Sequence, residues 1–118
     1  MAATRGSTPA ELGSEACKDV DAALARAFEF LGKRWNAMIL AALASGPAGF
    51  AGISREIEPI SDSVLSGRLS ELTRAGLVAR DVDAGPPVSV TYSLTPSTVA
   101  LIPALQQIAI WARENLTD

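Results

Sequence analysis

Histidine is absent from the 118 residues. The commonest general base and the commonest metal ligand are missing with it. A Ser-His-Asp triad, a Cys-His pair and a His-rich zinc site are therefore excluded. Cysteine occurs once, at Cys17, so an internal disulfide framework is impossible and a reducing, cytoplasmic setting is expected. No apolar run approaches the roughly 20 residues that span a bilayer, which predicts no membrane segment. The opening stretch MAATRGSTPAELGSEA has no apolar h-region, which predicts no secretory signal. Internal repeats are lacking, and low complexity is confined to the N-terminal stretch. No pair of carboxylates falls at catalytic spacing on a recognisable element. These absences argue against an enzyme and against a resident metal or cofactor.

What is present fits one folded domain. Hydrophobic residues make up 48% of the chain and charged residues 19%, which excludes global disorder. The net charge is −3, but it is unevenly spread. Residues 33–80 carry Lys33, Arg34, Arg55, Arg68, Arg74 and Arg80 against Glu56, Glu58, Asp62 and Glu71, while the segments on either side are acidic. A locally basic middle favours an anionic partner there.

Residues 1–16 are small and polar and read as a disordered tail, with a folded domain over 17–118. From Asp19 the pattern is helical, with Val20, Leu24, Phe28 and Leu31 on one stripe, until Gly32 interrupts. A second helix places Trp35, Ile39, Ala42 and Leu43 inward and ends at SGP. A short third helix, FAGISREI, follows with Phe50, Ile53 and Ile57 on one side. Pro59 cannot continue it, and Ser61 is a good N-cap for the next. The fourth helix carries Leu65, Leu69 and Leu72 at i, i+4 and i+7, and Gly76 suits a left-handed C-cap. The period then falls to two: GLVARDV reads as a strand, DAGPP as a turn, and VSVTYSL as a strand with Val88, Val90, Tyr92 and Leu94 on one face. Thr95 caps a last helix with Pro96 at its first position, and Pro103 should kink that helix or end its first segment. This order predicts a mostly α (α+β) winged helix-turn-helix, with a two-stranded β-hairpin wing and terminal helices forming a dimer interface.

The solvent side of the fourth helix is unusual. Ser63, Ser66, Gly67, Arg68 and Ser70 are short except for one arginine, where surface helices ordinarily carry Glu, Lys and Gln. Short side chains allow close approach. With Ser61 at its start, this face is the expected reader of a major groove, where Arg68 can pair bidentately with guanine or, if seated lower, meet a phosphate. Arg55, Lys33 and Arg34 are candidate phosphate contacts, which fix register rather than sequence. Arg80 points either to DNA or to solvent. Arg74 reads as a charge complementing the helix dipole.

Taken together, these residues resemble the HxlR-type transcriptional regulators, relatives of the MarR winged-helix group. The carriers are Cys17 before the first helix, GKRW (Gly32 to Trp35) followed by ILAALASGP, and Phe50 opening the short helix. The series IS...L..RL.EL...GLV.R from Ile60 to Arg80, PPVSVTYSLT from Pro86 to Thr95, and Trp111 complete the set. Gly49, Thr91 and Thr98 depart from the family's usual Arg, Glu and Gly, and the wing carries Asp81 and Asp83 where a basic or neutral side chain would suit a phosphate. The resemblance implies a bacterial homodimer that binds a double-stranded DNA operator, with some relatives sensing oxidants or electrophiles through the N-terminal cysteine and others answering to a small-molecule effector.

Other residues fit that scheme. The last helix carries Leu101, Leu105, Ile108 and Ala112 on one stripe, more than one core needs. With Val20 and Leu24 of the first helix they form the expected C2 dimer interface. Cys17 is either a small buried hydrophobe or a thiol activated by neighbouring Lys18 and a nearby helix N-terminus. With one cysteine per chain, only a Cys17–Cys17 bond between subunits or an adduct is available. Trp35, Phe28 and Trp111 either line an effector cavity or belong to the core. The reading from another class is a winged-helix module for protein–protein contact without DNA binding.

Overall fold

The computed structural model of the chain describes residues 9–116, with side chains from Lys18 onward. It divides into two units, Met1–Lys33 and Arg34–Asp118. Among the described residues no helix is long and apolar enough to cross a membrane.

The first unit is one helix, α1 (Pro9–Leu31). It starts earlier than the sequence suggests: residues 9–16, expected as tail, are helical, and residues 1–8 lie outside the described ones. Ala10, Glu11, Leu12, Glu15 and Ala16 are strong helix formers, but no apolar stripe accompanies them and the periodicity signal begins only at Val20. The early start also corrects the setting expected for Cys17. It lies eight residues into α1, about 12 Å along the axis at 1.5 Å per residue, so it neither precedes the helix nor sits at its positive end.

The second unit opens with α2 (Asn36–Leu43) and α3 (Phe50–Glu56), then α4 (Asp62–Arg74), the strands β1 (Val78–Asp83) and β2 (Ser89–Leu94), a short α5 (Pro96–Val99) and α6 (Ile102–Asn115). The core gathers Ile39, Leu40 and Leu43 of α2, Ile53 of α3, Ile57 and Ile60 beyond it, Leu65, Leu69 and Leu72 of α4, and Val78. The three leucines fix which side of α4 is buried, each contributing about 1.5–3 kcal/mol. Trp35 and Ala42, expected inward, are half-buried, and Leu40 takes a core position instead.

Both ends of α4 carry local stop signals. Ser61 is its N-cap, and the side-chain hydroxyl accepts from the Val64 backbone N–H at 3.3 Å. At the other end Gly76 has φ +78°. Its N–H donates to the Thr73 carbonyl at 3.1 Å and the Leu77 N–H reaches back to the Leu72 carbonyl at 3.0 Å. This is the Schellman pair of bonds, closed by the left-handed residue that glycine adopts without penalty.

The strands pair antiparallel with Val78 opposite Leu94, Arg80 opposite Tyr92 and Asp83 opposite Ser89. At the turn the Asp83 carboxylate accepts from the Gly85 N–H at 3.1 Å, and Gly85 takes φ +76°. One acidic residue of the wing thus has a local structural use. A third piece of backbone joins the sheet: Ala48, between α2 and α3, exchanges both hydrogen bonds with Tyr92, at 3.0 and 2.8 Å. The expected apolar face of the second strand is only partly realised. Val88 precedes β2 and is 68% exposed, while residues 90–94 are half-buried on both sides of the pleat, since α2, α3 and α5 each cover part of β2.

Pro103 ends the first segment of the last helix. A proline clashes with the carbonyl four residues back, which is Val99, and α5 stops there. Thr95 stands at the N-cap of α5, but its hydroxyl caps no backbone N–H. It donates instead toward the carbonyls of Gly76 at 2.9 Å and Leu77 at 3.3 Å.

Candidate nucleic-acid interface

With the leucine stripe of α4 buried, the opposite side faces outward. Ser63, Ser66, Gly67 and Ser70 are exposed, at the i, i+3, i+4 and i+7 spacing of one helix face. Gly67 leaves real room, since a Cβ built there meets no atom within 4 Å. Ser61, at the head of the face, is occupied by its cap and lies 3.5 Å from the Ser63 hydroxyl.

The candidate cations sort into three places. Arg34 lies over the Trp35 ring, 4.7 Å from its centroid, within cation–π range. These two residues line a groove of about 350 Å³ with Ser63, Val64, Gly67 and Arg68. Toward the C-terminal end of α4, Ser70, Thr73 and Arg74 line a smaller cleft of about 210 Å³ with Arg80 and Tyr92 of the wing. Arg55 stands apart, on the last turn of α3 at the rim of a groove formed with the Gly46–Pro47 loop. Lys33 is exposed and belongs to the first unit.

Three residues of this surface have contacts that the sequence left unassigned. Trp35 is the shelf for Arg34, a pairing of neighbours that the run RW does signal. Arg74, assigned only to the helix dipole, shares a cleft with Arg80 because the register puts Arg80 opposite Tyr92. Glu71 forms an ion pair with Arg68, Nη1 to Oε1 at 3.1 Å, for which the i, i+3 spacing was the available clue.

Of the dimer candidates, Val20, Leu24 and Ile108 are exposed, and Leu101, Leu105 and Ala112 are half-buried. No residue of α6 is fully buried, and Ile110 and Trp111 are also exposed. Among the described residues no group of three or more Cys, Asp or Glu side chains gathers as a metal site would.

Two helices joined by a tight turn, the second outward-facing and followed at once by a hairpin, define a winged helix-turn-helix, an architecture that serves DNA recognition. The chain belongs to the HxlR-like helix-turn-helix family, whose model matches residues 30–118. It is 43% identical over 89 residues to the HTH-type transcriptional regulator YvaP of Bacillus subtilis, covering 75% of this chain and 82% of YvaP. It is 38% identical over 101 residues to the HTH-type transcriptional regulator YodB of the same organism, covering 86% and 87%. The reduced form of YodB superposes with a TM-score of 0.70 at 40% identity, over 77% of this chain and 89% of that one. YodB is also known in diamide-treated and quinone-bound forms. The redox regulator HypR in its oxidised form superposes with a TM-score of 0.75 at 26% identity, over 80% and 98%. This is a family of transcription regulators with redox-sensing members.

Proposed function

We propose that this protein is a homodimeric regulator that binds a palindromic DNA operator, each subunit laying α4 in the major groove. The observation that carries the reading is the exposed face of Ser63, Ser66, Gly67 and Ser70, with the half-buried Arg68 at its edge. A groove about 12 Å wide admits a helix whose near side is slim, and this side is slim and carries one base-reading cation. Lys33, Arg34 and Arg55 take phosphates and set register. Arg80, with Arg74 beside it, does so from the wing.

The subunits join through Val20 and Leu24 of α1 and Leu101, Leu105, Ile108 and Ala112 of α6. In support, α6 buries none of its residues fully within its own chain. A C2 pair would present two α4 helices to half-sites about 34–36 Å apart.

Cys17 is the proposed control point, by analogy with the diamide-treated and quinone-bound YodB and the oxidised HypR. Two Cys17 thiols, one per subunit, can give one disulfide, passing two electrons to the oxidant and releasing two protons. Alternatively a single thiolate can add to an electrophile. Its activation would rest on adjacent Lys18, since the helix N-terminus is two turns away. A small-molecule effector is the other route of control.

The test is a mobility-shift assay on DNA upstream of the protein's own gene, with and without diamide. Tight, salt-dependent binding that weakens on oxidation is expected. Binding no tighter than to unrelated DNA would transfer the α4 face to a protein partner.

A further inference from the structure

We infer that Glu71 is a positioning residue that fixes Arg68 as a reader of a guanine edge rather than as a phosphate contact. This rests on the reading of α4 as the recognition helix. An arginine on such a face can serve either purpose, and its own position does not decide which.

The pair with Glu71 decides it. Arg68 Nη1 lies 3.1 Å from Glu71 Oε1, with the two side chains 30% and 23% exposed. That carboxylate oxygen has almost no solvent contact and accepts no well-aligned hydrogen bond, so its contact with Arg68 is an ion pair between charges. The order is Arg before Glu at i, i+3, the reverse of the sense that best supports a helix, and pairs this exposed contribute little to stability. The pair's effect is instead electrostatic and geometric. A phosphate brought to Arg68 would also meet the Glu71 carboxylate, so its attraction is largely cancelled. A guanine edge carries no net charge, so it loses less by that neighbour than a phosphate does. It needs two donors in a fixed fork, and a guanidinium has five N–H groups, so donors remain after one side is held by a carboxylate. Holding one side also sets the direction of the others before DNA arrives. Phosphate attraction in the same groove falls to Arg34, which is held by an aromatic ring rather than by a carboxylate.

The experiment uses the full chain. Wild-type protein selects from a random-sequence duplex library. The enriched duplex and its single-base-pair variants are then titrated with wild type, Glu71→Gln, Arg68→Ala and the double variant at several salt concentrations. Glu71→Ala repeats the series should the glutamine variant melt early. Glu71→Gln should reduce discrimination at one symmetric pair of G·C positions by tenfold or more. It should also steepen the salt dependence, by about 2 in the log–log slope for a dimer, as two released arginines find phosphates. In the Arg68→Ala background Glu71→Gln should change neither quantity.

Wild-type selectivity with Glu71→Gln unchanged in both readouts overturns the inference and leaves the DNA-binding reading intact. So does an effect of equal size in the Arg68→Ala background. If wild type enriches no sequence, the DNA-binding reading fails and the inference with it.

Discussion

Gly67 offers a direct test of what α4 is for. It occupies the middle of a 13-residue helix, where glycine costs about 0.5–1 kcal/mol relative to alanine through backbone entropy. A Cβ at this position meets no atom within 4 Å, so no packing inside the chain explains the choice. Gly67→Ala should therefore stabilise the free protein by that amount. With a domain of this size gaining about 4–8 °C per kcal/mol, the melting temperature should rise by about 2–8 °C. Gly67→Glu places its Cβ in the same open space and its carboxylate on the exposed side, so it should fold, but it sets a negative charge on the face assigned to DNA. A carboxylate 4 Å from a phosphate costs about 1 kcal/mol at the dielectric of water and about 4 kcal/mol at an effective value of 20. Two subunits double this, so the loss of affinity should be at least about 30-fold. Thermal melts by circular dichroism report the first effect, and fluorescence anisotropy on labelled operator reports the second. The reasoning fails if Gly67→Ala melts below wild type, which would reveal an unseen constraint on the helix. It also fails if Gly67→Glu binds operator like wild type, which would mean that this face never enters the groove.

Other variants probe the remaining assignments. Leu105→Asp should give a monomer in sedimentation and lose operator binding at the same time; a monomer that binds with wild-type affinity would separate assembly from α6. Cys17→Ser should bind operator normally and ignore diamide, and wild-type affinity that is the same before and after oxidation would make the thiol purely structural. Lys33→Ala and Arg34→Ala should each weaken binding uniformly across sequences and reduce the salt slope by about 2 for a dimer, measured by titration at several salt concentrations; a change in base preference would move either residue out of the phosphate class.

The legible parts of the fold were those written in local chemistry. The Leu65, Leu69 and Leu72 stripe, Ser61 at one end of α4, Gly76 at the other and Pro103 are all written within seven residues or fewer, and each did what its residue type dictates. Parts that depend on distant partners left little trace. Ala48 joins the sheet through its backbone alone, so its side chain carries no strand signal. Thr95 has the composition of a cap, yet its hydroxyl finds carbonyls 18 and 19 residues back. The start of α1 was missed because propensity without amphipathic periodicity is a weak signal, and the setting of Cys17 was misjudged as a result. The candidate site followed the same division. Spacing alone showed the slim face of α4, whereas the grouping of Arg74 with Arg80 required the strand register.

The Thr95 hydroxyl reinforces a junction that the bond from the Thr95 N–H to the Leu77 carbonyl and the pairing of Val78 with Leu94 also make. Through the carbonyls of Gly76 and Leu77 it holds the turn just beyond α4, and through its own backbone it begins the segment leading into α6. For a dimer assembled on α6, the spacing between subunits and the tilt of each α4 are then not independent variables. A change in how the two α6 helices cross would reach the C-terminal end of α4 through this junction and turn both α4 helices together. On the proposed reading, the half-site spacing that such a dimer accepts would be set in part at this junction.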